Sequence, residues 1–125
     1  MAIPDGLDRI DLIGISAHGH HGVFDDEKKN GQTFVVDVSL GLDLGPAARE
    51  HDLTKTVHYG VLAQQIHDAI VSDPVDLIET LALRMVDLCL AEDQVRWASV
   101  TVHKPDAPIT VPFHDVSVTT ERSKQ

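Results

Sequence analysis

The chain is poor in several things, and each shortage excludes something. Among its 125 residues there is one cysteine, Cys89, so no internal disulfide can form. Cys89 sits in the apolar stretch Met85 to Leu90 and reads as a buried core thiol. Aromatic residues number five, as three Phe, one Tyr and one Trp, so the core must be built mainly from Val, Leu, Ile and Ala. Basic residues are scarce. Ten Lys and Arg face twenty Asp and Glu, for a formal net charge of −10. A chain so acidic, with no basic run, is unsuited to phosphate backbones, and no nucleic-acid partner is expected. No apolar run approaches membrane-spanning length, and the N-terminal "MAIPDGLDRIDLIG" lacks the basic and apolar regions of a secretory signal. The expectation is a soluble, cytoplasmic protein. There is no HExxH or CxxC, no short-period repeat and no low-complexity tract.

What is present is enough for one ordinary globular domain over residues 1–125. The hydrophobic fraction is 42% and the charged fraction 24%, both near globular averages. Residues 8–20, "DRIDLIGISAHGH", read as a first strand whose alternation slips between Leu12 and Ile13, which a bulge explains. Residues 33–44, "TFVVDVSLGLDL", alternate cleanly. Phe34, Val36, Val38, Leu40, Leu42 and Leu44 share one face, as in a half-buried antiparallel strand. Between them, His21 to Gln32 forms a charged connection that is long for a hairpin and ends in the turn pair Asn30-Gly31.

After Leu44 the period changes. "GPAAREHDL" offers a helical turn at most. Tyr59 to Ser72 carries Leu62, Ile66, Ala69 and Ile70 at helical spacing, and Pro74 ends the run. A second helix follows, with Asp76 as its cap and Leu77, Leu81, Met85 and Leu88/Cys89 as its apolar stripe. Two strands, near 95–104 and 114–121, close the chain. The order β-β-α-α-β-β predicts an α+β fold, a four-stranded antiparallel sheet with two helices on one face.

Four constellations can carry chemistry. In "DLIET", Glu79 is either the acidic member of a capping box with Asp76 or a carboxylate facing a pocket. In a pocket it would accept two parallel hydrogen bonds from an amidine-like ligand edge. In "HGHHGVFDDE", His18, His20 and His21 are either surface and packing residues or part of a zinc site completed by His58, His103 or His114. Glu27 in the same segment is a solvated charge unless it faces a site. Tyr59 in "TVHYG" is a helix-entry packing residue, or a group for stacking on a flat ring or moving a proton. Lys104 lies where a strand stops and "PDAP" begins. It is either an exposed strand-end lysine or a preorganised one, fit for acid–base work or Schiff-base formation.

In register along almost the whole chain, "GISAHGHHGVFDDEKKNGQTFVVDV", "TVHYGVL", "LIETLALRM" and "VTVHKPDAPI" resemble the dihydroneopterin aldolase family, folate-biosynthesis enzymes of the tunnelling fold. The resemblance implies that Glu79, helped by the backbone around Ile78, anchors a pterin through its 2-amino group and N3–H. It implies that Tyr59 comes from a neighbouring subunit, with Val57 and His58 beside it. Glu27, with Gln32 in the "E…GQ" loop, would stand near the reacting side chain, and Lys104 matches the catalytic lysine. Retro-aldol cleavage to 6-hydroxymethyl-7,8-dihydropterin and glycolaldehyde, without metal or cofactor, is the implied activity. An accompanying 2′-epimerase activity and a homo-octamer of two tetrameric rings are implied too. A related epimerase of dihydroneopterin or its triphosphate, a zinc-dependent pterin synthase using the histidines, and a non-catalytic pterin-binding protein are the rival readings. The sequence departs from the family at Thr110, where a proline often follows the "API" triplet, and at the pair His20-His21.

Overall fold

A computed structural model describes residues 3–124. The chain forms strands β1 (Asp8–Gly19) and β2 (Gln32–Leu42), helices α3 (Tyr59–Val71) and α4 (Ile78–Leu90), and strands β3 (Trp97–His103) and β4 (Ser117–Ser123). Two six-residue helices, α1 (Asp25–Asn30) and α2 (Gly45–Glu50), and a single 3-10 turn at Leu53–Lys55 fill the connections. The four strands make one antiparallel sheet in chain order, β1-β2-β3-β4. Helices α3 and α4 pack together across one face of it, α3 over β1 and α4 over β3 and β4.

The alternation of β2 is the physical reason for this layering. Phe34, Val36, Val38, Leu40 and Leu42 are all fully buried, because period two sends every second side chain to the helical layer. Ala98, Val100 and Val102 of β3 meet them, and Leu62, Ile66, Ile70, Leu81, Met85 and Cys89 come down from the helices. Burial also pushes the Cys89 thiol up to about 12, with Glu92 adding to the effect, so it is a packing group rather than a nucleophile. The expected slip in β1 is a register shift between Leu12 and Ile15. Gly14 takes a positive φ of 81° there, and its N–H donates to Asp37 Oδ1 at 2.8 Å.

Several expectations need correction. The connection after β1 is not a plain loop: Asp25–Asn30 coil into α1. "GPAAREHDL" gives α2 and leads into the 3-10 turn. The last two strands start later than expected, at Trp97 and Ser117, and β4 runs on to Ser123. Asp76 does not cap α4. Leu77 holds the cap position without a side-chain bond, and Ile78 begins the helix. The Asp76 carboxylate instead pairs with Lys28 Nζ from α1, an ionic partner that a sequence pattern cannot reveal. Glu79 is therefore the second helical residue, outside any capping box. The apolar stripe rotates with the new start: Leu77 is 49% exposed, and Ile78 is buried in its place.

His21 links the two connections that border the helices. It is fully buried. The Val75 N–H donates to its Nδ1 at 3.1 Å, which makes Nε2 the protonated nitrogen, bonded to the Ile70 carbonyl at 2.8 Å. Beside it the Gly22 N–H donates to the Val75 carbonyl at 2.9 Å. Burial holds the ring's pKa below its ordinary 6.5, against the opposing pull of the Ile70 carbonyl. The unfolded chain thus takes up this proton first, and the fold loses stability as pH falls below about 6.5. His21→Gln, which can keep both bonds without titrating, is expected to flatten that loss. Urea midpoints of the two proteins at neutral and mildly acidic pH check it; parallel acid losses would refute the assignment.

Candidate active site

The end of β3 delivers Lys104 to the rim of the helical layer. Its N–H donates to the Val116 carbonyl at 2.8 Å, closing the connection that leads to β4, and the Ala107 N–H turns back to the Lys104 carbonyl at 3.2 Å. Side chains alternate across β3, so Lys104 follows Val100 and Val102 toward the helices. There it meets Glu27 of α1: Nζ lies 2.6 Å from Glu27 Oε2, and the two side chains are only 13% and 6% exposed.

The Glu27 carboxylate is held on three sides. Besides Lys104, Gln32 Nε2 donates to Oε2 at 2.9 Å and the Phe24 N–H to Oε1 at 3.2 Å. Burial raises a carboxyl's pKa, yet the Lys104 and Gln32 bonds outweigh it and hold Glu27 below its ordinary 4.5. Gly22 makes the packing possible. Its φ is 150°, and a Cβ there would lie 2.4 Å from the Glu27 carboxylate. Only a residue without that atom lets the chain pass so close.

A cavity of about 290 Å³ opens beside this pair, lined by Glu27, Lys104, Ile78 and Glu79 and walled by Phe24, Leu77, Ala107, Pro108, Ile109 and Val116. Glu79 is exposed at its edge, in the first turn of α4, where the helix dipole favours a carboxylate. Four of the expected residues are thus brought to one cleft: Glu27, Ile78, Glu79 and Lys104. The other three lie outside it. Tyr59 is 60% exposed at the start of α3, His58 caps that helix by accepting the Val61 N–H at 3.3 Å, and Val57 is buried in the core. Glu27 also borders a second, more polar hollow with His18, Gln32, Thr33 and Asp106.

The histidine-rich segment has other work. His18 Nε2 lies 2.8 Å from the Asn30 carbonyl, His20 Nδ1 lies 2.9 Å from the Lys28 carbonyl, and His21 is spent as described. Among the described residues, no three His, Cys, Asp or Glu side chains cluster in a way that could hold a metal ion. The residues the sequence reading passed over are Gly22 and Lys28. Lys28 Nζ bonds both the Gly22 carbonyl and Asp76, tying the Glu27 segment to the entry of α4. The glycine before "VFDDE" was the available signal for the first; nothing local marks the second.

A buried acid–base pair beside a cleft that an exposed carboxylate also borders is an arrangement for binding a small polar molecule and moving a proton on it. Comparison with known proteins agrees in class and is more specific. Residues 10–121 match the family model described as "FolB: Dihydroneopterin aldolase". Dihydroneopterin aldolase of Streptomyces coelicolor is 54% identical over 118 residues, covering 94% of this chain and 99% of that protein. The Bacillus subtilis enzyme is 38% identical, covering 94% and 99%. Among solved structures, Escherichia coli dihydroneopterin aldolase in complex with neopterin matches with a TM-score of 0.83 at 25% identity, covering 93% of this chain and 99% of that one. Dihydroneopterin aldolase of Burkholderia thailendensis, bound to guanine, matches with a TM-score of 0.76 at 26% identity, covering 95% and 93%. The fold is the α+β tunnelling fold of these neighbours. The chain belongs to the dihydroneopterin aldolase family, a family of lyases.

Gly22→Ala tests the close packing. The new methyl must displace the Glu27 carboxylate and adopt a φ that L residues avoid, so a loss of about 1–3 kcal/mol is expected in urea unfolding. A variant as stable as the parent would show that the segment can shift freely.

Proposed function

We propose that residues 1–125 form one soluble, cytoplasmic domain that cleaves 7,8-dihydroneopterin by a retro-aldol step. The carrying observation is the buried Glu27–Lys104 contact of 2.6 Å in the wall of the cavity that Glu79 borders. Glu79 accepts from the 2-amino group and the adjacent ring N–H of the pterin, with the Ile78 backbone assisting. Guanine, the ligand of the Burkholderia relative, carries the same amidine-like edge, and neopterin is the oxidised counterpart of the proposed substrate. Two parallel N–H bonds to one carboxylate fix both position and orientation of a flat ring.

The substrate supplies its own electron sink. A proton leaves the 2′-hydroxyl, the C1′–C2′ bond breaks, glycolaldehyde departs, and the electron pair enters the ring C=N to give an enamine. Protonation at C1′ then yields 6-hydroxymethyl-7,8-dihydropterin. Lys104 is the general acid–base for these transfers, Glu27 holds and balances it, and neither a metal nor an organic cofactor enters. Recombination of the two fragments on the other face gives the 2′-epimer, so epimerase activity accompanies cleavage.

Tyr59 stands outside the cavity of its own chain and is exposed. In the proposed assembly, tetrameric rings paired as an octamer, the Val57-His58-Tyr59 segment of a neighbouring copy completes each cleft, and Tyr59 stacks on the pterin or relays a proton.

With excess EDTA and 7,8-dihydroneopterin, glycolaldehyde and 6-hydroxymethyl-7,8-dihydropterin are expected to form in equal amounts. Lys104→Ala should lower kcat by roughly 10²–10⁴-fold while pterin affinity survives. Glu79→Ala should weaken pterin binding by roughly tenfold to a hundredfold, the worth of a lost charge-assisted bond. Unchanged turnover in the lysine variant, or unchanged affinity in the glutamate variant, would reassign that residue.

A further inference from the structure

One residue before Lys104, the chain carries a second charged device on the opposite face of the sheet. His103 Nδ1 lies 2.6 Å from Asp115 Oδ2, and Nε2 lies 2.8 Å from Asp37 Oδ2. An ionised carboxylate only accepts hydrogen bonds, so a ring held by two of them must donate from both nitrogens, and it does so as imidazolium. Asp37 is itself anchored, its other oxygen accepting the Gly14 N–H at the β1 bulge. A line of bonds therefore runs from β1 through Asp37 on β2 and His103 on β3 to Asp115. Asp115 stands at the far end of the connection that begins with Lys104. The same connection is closed on its backbone by the Lys104 N–H to Val116 bond, and it supplies Ala107, Pro108 and Ile109 to the cavity wall.

We propose that the His103 imidazolium is a positioning residue for Lys104: by bonding Asp37 and Asp115 together it pins both ends of the 104–116 connection to the sheet and holds the amine against Glu27. This rests on Lys104 acting in proton transfer as proposed above. His103 touches no reacting atom. Its effect passes through the backbone it shares with Lys104, where a small misplacement of the amine slows turnover more than it weakens binding.

The charge on the ring makes the device sensitive to pH. Asp37 faces it from β2 and Asp115 from the β3–β4 connection, while β4 presents Ser117 across the ladder and β1 contributes the Gly14 amide through Asp37. Arg9, Asp11 and Glu121 lie further along the same face. Burial alone would pull the ring's pKa down, but Asp115 and Asp37 outweigh it and raise it above 6.5. The folded value exceeds the unfolded one. The clamp is therefore fully closed below about 6.5 and opens as pH rises through the folded value.

The test combines one measurement on the unaltered protein with variants. A titration of the His103 ring by imidazole nitrogen NMR should give a midpoint above the ordinary histidine value of 6.5, with both nitrogens protonated below it; a midpoint at or below 6.5 overturns the proposal. His103→Gln should lower kcat for 7,8-dihydroneopterin by roughly tenfold or more while KM moves by less than about threefold. His103→Arg, which bonds two carboxylates and stays charged, should recover most of that loss and move the alkaline decline of kcat to higher pH. A His103→Gln enzyme with the parent's kcat and pH profile refutes the clamp, as does equal damage in the Gln and Arg variants. Should His103→Gln fail to fold, Asp115→Asn at the exposed end must lower the ring's pKa in the NMR titration, and an unmoved titration counts against the proposal. Lys104→Ala, assayed in parallel, separates the two readings. If it stays active, the proposed function falls. If it is inactive while His103→Gln is unaffected, only the clamp does.

Discussion

A lysine and a glutamate almost shielded from water are held in direct contact, and the geometry of this molecule is organised around their meeting. Lys104 comes from the end of a strand, Glu27 from a six-residue helix far earlier in the chain. Truncating either would strand a buried charge, at a penalty of about 3–5 kcal/mol. That requirement explains the features around it. Gly22 lacks the Cβ that would strike the carboxylate, Gln32 and the Phe24 N–H donate two further hydrogen bonds to it, and Lys28 moors the same segment to Asp76 beside Glu79. A pair held this firmly is aligned before any ligand arrives, and alignment is what proton transfer needs.

Two histidines show how environment decides what one residue type does. His21 lies among backbone groups, one donating and one accepting, so a neutral ring satisfies both and protonation would cost a bond. His103 lies between two carboxylates, and only a charged ring satisfies those. The first joins the two connections that border the helices, the second the strands to the connection bearing Lys104. Their pKa values move in opposite directions for that reason.

The layered fold was legible because its signals are periodic. The face Phe34-Val36-Val38-Leu40 on β2 and the spacing of Leu62, Ile66 and Ile70 on α3 each repeat an element's own geometry. The slip at Leu12 was legible too, since one extra residue reverses the alternation beyond it. Helix α1 was not. Its six residues, Asp25 to Asn30, are nearly all charged and carry no apolar stripe; Glu27 accepts the N–H of its own cap residue Phe24, and Glu27 and Lys28 reach out to Lys104 and Asp76. The start of α4 was misplaced for a similar reason. Asp76 has the chemistry of a cap, but an ion pair with Lys28 claims it first.

By itself the sequence determined the layers, the order of elements and the family, together with the residue types able to grip a flat ring and move a proton. These depend on local spacing and on motifs that survive in linear order. Tertiary structure alone decided which of those residues share a cleft. It brought Glu27, Ile78, Glu79 and Lys104 to one cavity, left Val57, His58 and Tyr59 outside it, and set His103 between Asp37 and Asp115. Contacts between residues distant in the chain follow from how the sheet and helices close on one another, and that closure is a property of the packed whole.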